Sequence, residues 1–182
     1  MGTIRRMTWR RLQAGLLDLA FILGWVAVVA AIAVPLWLQV IAAGLGILGL
    51  NLAAGVVVVL PVVLALAWAE GGRYEASPGK QWTGLRVRRR DGTPLGFWGA
   101  LLRNTAKVAL PWTLGHAAAI ALATTTSRGV PADVWVLTIA AYSVPLIYLL
   151  SLFFGERRTP YDVLARSEVV GLGGPRRALP AE

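Results

Sequence analysis

Four apolar stretches, each bounded by proline, glycine or charge, divide the chain. The first runs from about Leu12 to Val34 and stops at Pro35, and the second from about Gly46 to Ala69, ahead of "EGGRYE". The third covers about Thr105 to Ala123 and the fourth about Asp133 to Phe154. A helix rising 1.5 Å per residue needs about 20 predominantly apolar residues to cross the hydrocarbon core, so each stretch predicts one membrane span. "PLWLQVIAA", between the first two, is too short for a further span and reads as a turn in the interface with Trp37 at headgroup level. Pro61, Pro111 and Pro145 fall inside the predicted helices, where a missing N–H and a ring clash bend the axis.

The polar stretch between spans two and three has a different period. In "GGRYEASPGKQWTGLRVRRRDGTPLGFW", Leu85 and Val87 alternate with Arg86 and Arg88 before Asp91-Gly92, which predicts a short two-stranded hairpin. "FWGALLRN" then reads as an interfacial helix turning into span three, anchored by Phe97 and Trp98. The expected fold class is an all-α membrane protein of about four transmembrane helices, with a short β-hairpin in the cytoplasmic loop at about 70–104. It forms a single domain over 1–182 with a tail from 155.

Composition agrees with a membrane setting. Of 182 residues, 57% are hydrophobic and 15% charged, and mean hydropathy is +0.63, whereas soluble domains use about 45–50% apolar residues. The net charge of +9 would suit a polyanion as partner, but its distribution has a simpler cause. Arg5, Arg6, Arg10 and Arg11 precede span one; Arg73, Lys80, Arg86, Arg88, Arg89, Arg90, Arg103 and Lys107 lie between or beside spans two and three; Arg157, Arg158, Arg166, Arg176 and Arg177 follow span four. The loop after span one has no Lys or Arg, and the loop after span three has only Arg128. By the positive-inside rule both termini and the central loop face the cytoplasm, so the basic residues need no nucleic acid to explain them. Arg86, Arg88, Arg89 and Arg90 are also candidate contacts to anionic lipid, at about 1 kcal/mol each near the surface.

Several motif-like strings lack the context that would give them chemistry. The basic start and the A-x-A pattern at Ala31 and Ala33 imitate a signal peptide. The run is longer than a usual h-region and carries Asp18, so it is read as a mature helix. "GLGILG", Gly44 to Gly49, spells GxGxxG without a βαβ unit, and its glycines, with Gly55, read as sites of close helix approach. "SPGK", Ser77 to Lys80, lacks the framework of a phosphate-binding loop and reads as a tight turn at Pro78-Gly79. His116, the single histidine, reads as paired to a neighbouring helix, because one histidine without cysteine builds no His cluster for a metal. No serine triad assembles around it, so neither an enzyme nor a cofactor is expected, and zero cysteines exclude disulfides and thiolate sites.

Asp18 is the exception to the apolar pattern. An ionised side chain within a span costs roughly 2.5–3.5 kcal/mol even on the lenient insertion scale, so it requires partners. Arg11 and Asp18 are two helical turns apart, about 10 Å along the axis, and share a face with Ala14 and Gly15, where small residues admit another element. Arg11 on the same helix and Arg103 at the entry to span three are the candidate partners, since long basic side chains reach inward from the interface. Thr159-Pro160 has the form of a helix start, which puts Asp162 in a first turn, where a carboxylate is favoured.

These residues resemble a known family. "RLQAGLLD" with Arg11, Ala14 and Asp18, "SPGKQWTGLRVRRRDG", Arg103 in "ALLRN", and "RRTPYDVLARSEVV" together resemble the RDD family of small bacterial membrane proteins, over nearly the whole chain. The resemblance maps the arginine and two aspartates of the family's name onto Arg11, Asp18 and Asp162. Tyr161 stands where the family often has His, and Ala165-Arg166-Ser167 where it often has "AGT". It implies a multi-pass protein of the bacterial inner membrane, in a family for which transport, including sodium/proton antiport, has been suggested.

Two function classes follow. In one, the Arg/Asp cluster is a fixed clamp for helix packing in an accessory or subunit protein, whose partner is another membrane protein or a second copy. In the other, Asp18 and Asp162 bind and release protons or cations in a small transporter working as an oligomer. A transporter needs a polar path, for which the spans offer only Asn51, His116, Thr124 to Thr126 and Ser143.

Overall fold

The computed structural model describes residues 2–33, 44, 46–125, 129–154 and 158–172. Trp37, Thr126, Arg128 and most of the tail lie outside the described residues, as does part of "GLGILG". Four helices are long and apolar enough to cross a membrane. α1 spans Gly2–Ala33. α2 runs through Ile47–Ala54, a π-turn at Gly55–Val59, and Leu60–Gly71. After the short α3, Pro78–Trp82, and strand β1, Leu85–Arg89, α4 runs through Gly96–Asn104, a π-turn at Thr105–Ala109, and Leu110–Thr124. α5 is Ala132–Leu150, α6 the short Pro160–Leu164, and β2 Ser167–Gly171. The segment expected as an interfacial helix turning into span three is continuous with it as the first part of α4, so the apolar helix begins at Gly96.

The all-α fold with a small antiparallel element is borne out, and the pairing of its strands adds a long-range link. Leu85 and Val87 point inward and are fully buried, as their alternation predicts. β1 takes its partner from the tail: it pairs antiparallel with β2, Val87 opposite Val169. The local turn-back after Asp91-Gly92 is reduced to a bridge between Arg88 and Pro94. The same turn closes through Arg89 N–H to the Thr93 carbonyl at 2.9 Å. Pro94 cannot donate to a ladder, which keeps this hairpin short.

Both π-turns immediately precede a Leu-Pro pair, and at each a side chain of a neighbouring helix bonds a backbone carbonyl. In π register Leu110 N–H bonds Thr105 O, so the next carbonyl, Ala106, faces Pro111, which has no N–H. Tyr148 Oη of α5 donates to it at 2.9 Å. In α2, Trp25 Nε1 of α1 donates to Val58 O at 3.2 Å. A backbone carbonyl left bare in hydrocarbon costs several kcal/mol, so the bond to Ala106 holds α5 to α4.

At three of the four glycines expected to admit a helix, no close contact is present. A Cβ on Gly44, Gly46 or Gly55 would meet nothing within 4 Å. At Gly71 it would lie 2.6 Å from Phe97 Cα, which marks the backbone approach of α2 to α4. The packing centres on this antiparallel pair: Ala67, Val87, Leu95 and Ala100 at the polar end, Val58, Val59 and Val63 deeper.

Candidate functional site

The polar end of the bundle gathers charged residues from α1, α2, α3, α4 and α6. Asp162 lies in the first turn of α6, where its carboxylate reaches back to Thr159 N–H at 3.4 Å. Arg11 Nη2 donates to its Oδ2 at 2.6 Å, and Arg103 Nε and Nη2 donate to its Oδ1 at 2.9 and 2.8 Å. The remaining edge of the Arg103 fork turns the other way, with Nη1 donating to Glu70 Oε2 at 2.7 Å. Glu70 also accepts from Lys80 Nζ at 2.7 Å and from Asn104 Nδ2 at 2.9 Å. One planar guanidinium thus joins two carboxylates through separate edges of its fork, a directional arrangement that the point charge of a lysine lacks. The Tyr161 ring lies 5.1 Å from Arg103 Cζ, within cation–π range.

Asp18 belongs to the same network but has different partners. Ser77 Oγ donates to Oδ2 at 2.7 Å and Gly79 N–H to Oδ1 at 2.9 Å. Lys107 Nζ stands at 3.4 Å and Lys80 Nζ at 3.6 Å. Lys80 links the two halves, since it also donates to Ser77 Oγ at 3.0 Å. "SPGK" is therefore a cap and first turn of α3, and its contact with α1 corrects the tight turn expected at Pro78-Gly79. Glycine is required there: a Cβ on Gly79 would overlap the Ala14 carbonyl oxygen and come within 2.9 Å of Asp18 Oδ1. Ala14, 2% exposed, is the small residue of α1 that admits this approach.

Burial and charge oppose one another outside the spans. Burial alone would raise the Asp162 carboxyl; the Arg103 and Arg11 guanidiniums outweigh it and hold it down at about 2. Burial pushes the Lys80 ammonium down to about 8, against the pull of Glu70 and Asp18.

The expected Asp18–arginine pair is not formed, and its absence has a geometric cause. Arg11 and Arg103 both go to Asp162. Two turns separate Arg11 from Asp18, and α3 fills the space beside Asp18 with shorter donors. Arg11, Arg103 and Asp162 are in direct contact, and Asp18 joins them through Lys80 and Glu70. Sequence reasoning left Glu70, Ser77, Lys80 and Lys107 out of the cluster. Glu70 carried a signal, because a carboxylate in the last turn of a helix opposes the macrodipole and so needs a cation. Lys107 carried another, being one turn after Arg103 on the same face.

The candidate lipid-binding arginines divide into two pairs. Arg88 Nε donates to Glu75 Oε2 at 2.6 Å and Arg86 Nη1 lies 4.0 Å from it. Glu75 holds a positive φ of 51°, uncommon for a side chain of its size, while its carbonyl accepts from Val87 N–H. Arg89 and Arg90 line a cavity of about 680 Å3 together with Arg158 and Arg166. Deeper in the bundle, His116 Nδ1 lies 2.8 Å from Asn51 Oδ1 of α2, the helix-to-helix pairing expected of it. Among the described residues no group of three or more His, Cys, Asp or Glu side chains is placed to hold a metal.

Four apolar helices, three of them tied at one end by buried ion pairs, define a small multi-pass membrane protein. The chain belongs to the RDD family, whose family model matches residues 5–166 and so takes in every member of the cluster. No curated protein and no solved structure matches it.

Proposed function

We propose that the chain is an accessory or subunit protein of the bacterial inner membrane, with its ionic cluster as a fixed clamp for helix packing. The observation that carries this reading is saturation. Asp162, Glu70 and Asp18 each accept hydrogen bonds on both oxygens from groups held by other elements. Carboxylates so closed are poor carriers, since each proton or cation bound would have to displace a bonded partner. The pairing of Asn51 with His116 further uses up two of the few polar groups in the distal half. The exposed apolar faces, such as Val136, Ile139 and Tyr142 on α5, suit another membrane protein or a second copy as neighbour. Both termini and the central loop face the cytoplasm in this reading, with Arg89 and Arg90 meeting anionic headgroups.

A proteoliposome flux assay under sodium, potassium and proton gradients, run on wild type and Asp18→Asn, tests the clamp. The expected result is no flux in either, with a lower melting temperature for the variant. Flux in the wild type that Asp18→Asn abolishes would establish the transporter instead. Orientation is tested separately: cysteines at Arg89 and Arg128, in a chain that has none, should label from opposite sides.

A further inference from the structure

Below the ionic cluster lies a cavity of about 350 Å3 between α1, α4 and α5. That is near the lower end of small-molecule pockets, about 300–1,000 Å3. Arg11, Lys80, Arg103 and Lys107 stand at its polar end beside the Asp18 carboxylate, which is already bonded by Ser77 and Gly79, and Leu16, Leu19 and Leu149 form its apolar walls. These leucines are 65%, 47% and 46% exposed, so the apolar wall of the cavity continues onto the outer faces of α1 and α5.

Among the described residues, Arg11, Lys80, Arg103 and Lys107 surround Asp18, Glu70 and Asp162. Lys107 is the member bound least closely. Its Nζ is 3.4 Å from an Asp18 carboxylate whose two oxygens already accept from Ser77 and Gly79, and its side chain is 17% exposed, the most of the four.

We infer that this cavity is a binding site for one anionic phospholipid that enters between α1 and α5. Its phosphate would lie at Lys107 and Arg11, where charge-assisted hydrogen bonds are strong, and one acyl chain would follow Leu16, Leu19 and Leu149 into the bilayer. Three features select this ligand. Lys107, held only by a 3.4 Å contact to an already bonded carboxylate, favours a net anion and repels the cation of a zwitterionic headgroup. The apolar wall has no use for a free anion. The volume fits a headgroup and the start of a chain, with the remainder left in the membrane. Basic pockets between transmembrane helices on the cytoplasmic side are a known form of headgroup recognition. The site holds whether the clamp serves a subunit or a transporter.

Native mass spectrometry and thermal-shift titration in neutral detergent would test it, with dioleoylphosphatidylglycerol, dioleoylphosphatidylcholine and inorganic phosphate as probes. One phosphatidylglycerol per chain should bind saturably and raise the melting temperature. Phosphatidylcholine should bind about ten-fold more weakly or worse, a difference of about 1.4 kcal/mol, and phosphate should give no shift. Gly15→Leu fills the cavity without touching a charge, since a Cβ there meets nothing within 4 Å and leucine is the better helix former; it should lose the bound lipid while staying folded. Lys107→Gln should weaken phosphatidylglycerol about ten-fold, whereas Arg89→Gln with Arg90→Gln should leave this one lipid in place. If Lys107→Gln fails to fold, Gly15→Leu decides alone. Equal retention of phosphatidylcholine, an equal shift with phosphate, or wild-type lipid affinity in Gly15→Leu would each overturn the site.

Discussion

Asp162 and Asp18 are buried to the same degree, at 0% and 2% exposure, yet one is held by arginines and the other by a hydroxyl, a backbone amide and two distant lysines. Asp162 has two guanidiniums within 2.6–2.9 Å. Asp18 has its close bonds from neutral groups, and its ammonium partners stand at 3.4 and 3.6 Å. The difference follows from what supplies the donors. Asp162 sits where two long side chains from α1 and α4 converge, and Asp18 sits where a short helix is pressed against α1 through Gly79. The first is a rigid ionic joint and the second a packing contact with charge beside it.

The comparison predicts an order of damage. Arg103→Gln strands both Glu70 and Asp162 and should cost about 3–5 kcal/mol, the usual penalty for breaking a buried pair, read as a fall in melting temperature in detergent. Asp18→Asn keeps an acceptor for Gly79 and offers Ser77 a donor, so its loss should be smaller, about 1–3 kcal/mol. Equal losses in the two variants would erase the distinction between the sites.

Acid sharpens it further. The Asp162 carboxyl, held at about 2 in the folded chain, contributes stability fully above the unfolded carboxylate range near 3.9 and loses it as pH falls toward 2. Roughly 2 kcal/mol should disappear over that window. The measurement is the pH dependence of unfolding in wild type and Asp162→Asn: the variant should lose this part of the slope, and a persisting slope would place it on other groups.

Gly79→Ala probes the packing side. The new methyl overlaps the Ala14 carbonyl, and displacing α3 should cost about 1–3 kcal/mol, as overpacking does. A variant as stable as wild type would show that α3 can move away from Asp18 freely. The smallest effect belongs to the surface. Arg86→Gln removes a partly exposed contact at 4.0 Å from Glu75 and should change stability by less than about 1 kcal/mol.

The spans were legible because apolar length is a direct constraint of the bilayer, and the alternation of Leu85 and Val87 was legible because a half-buried strand has period two. The partner of that strand was hidden. Asp91-Gly92 is a strong local turn signal, and nothing local marks Ser167–Gly171 as a better ladder. Asp162 in a helical first turn could be read from Thr159-Pro160. The arginine assigned to Asp18 could not, because two carboxylates competed for the same guanidiniums and only the position of α3 decides between them. Ser77 and Gly79 looked like turn residues for the same reason: their role depends on what they touch.

The contact between Arg11 and Asp162 joins positions 151 residues apart, and that between Arg103 and Asp162 positions 59 apart. A ribosome adding about 5–20 residues per second needs roughly 3–12 s to make the second interval. Through that time Arg103 has emerged and Asp162 has not, so the nascent helices enter the bilayer before the joint can close. The joint is therefore among the last contacts the growing chain can make. The arrival of α6 ties α1 to α4, and through Arg103 to α2, and a chain arrested before Asp162 leaves that arginine with one of its two carboxylate partners.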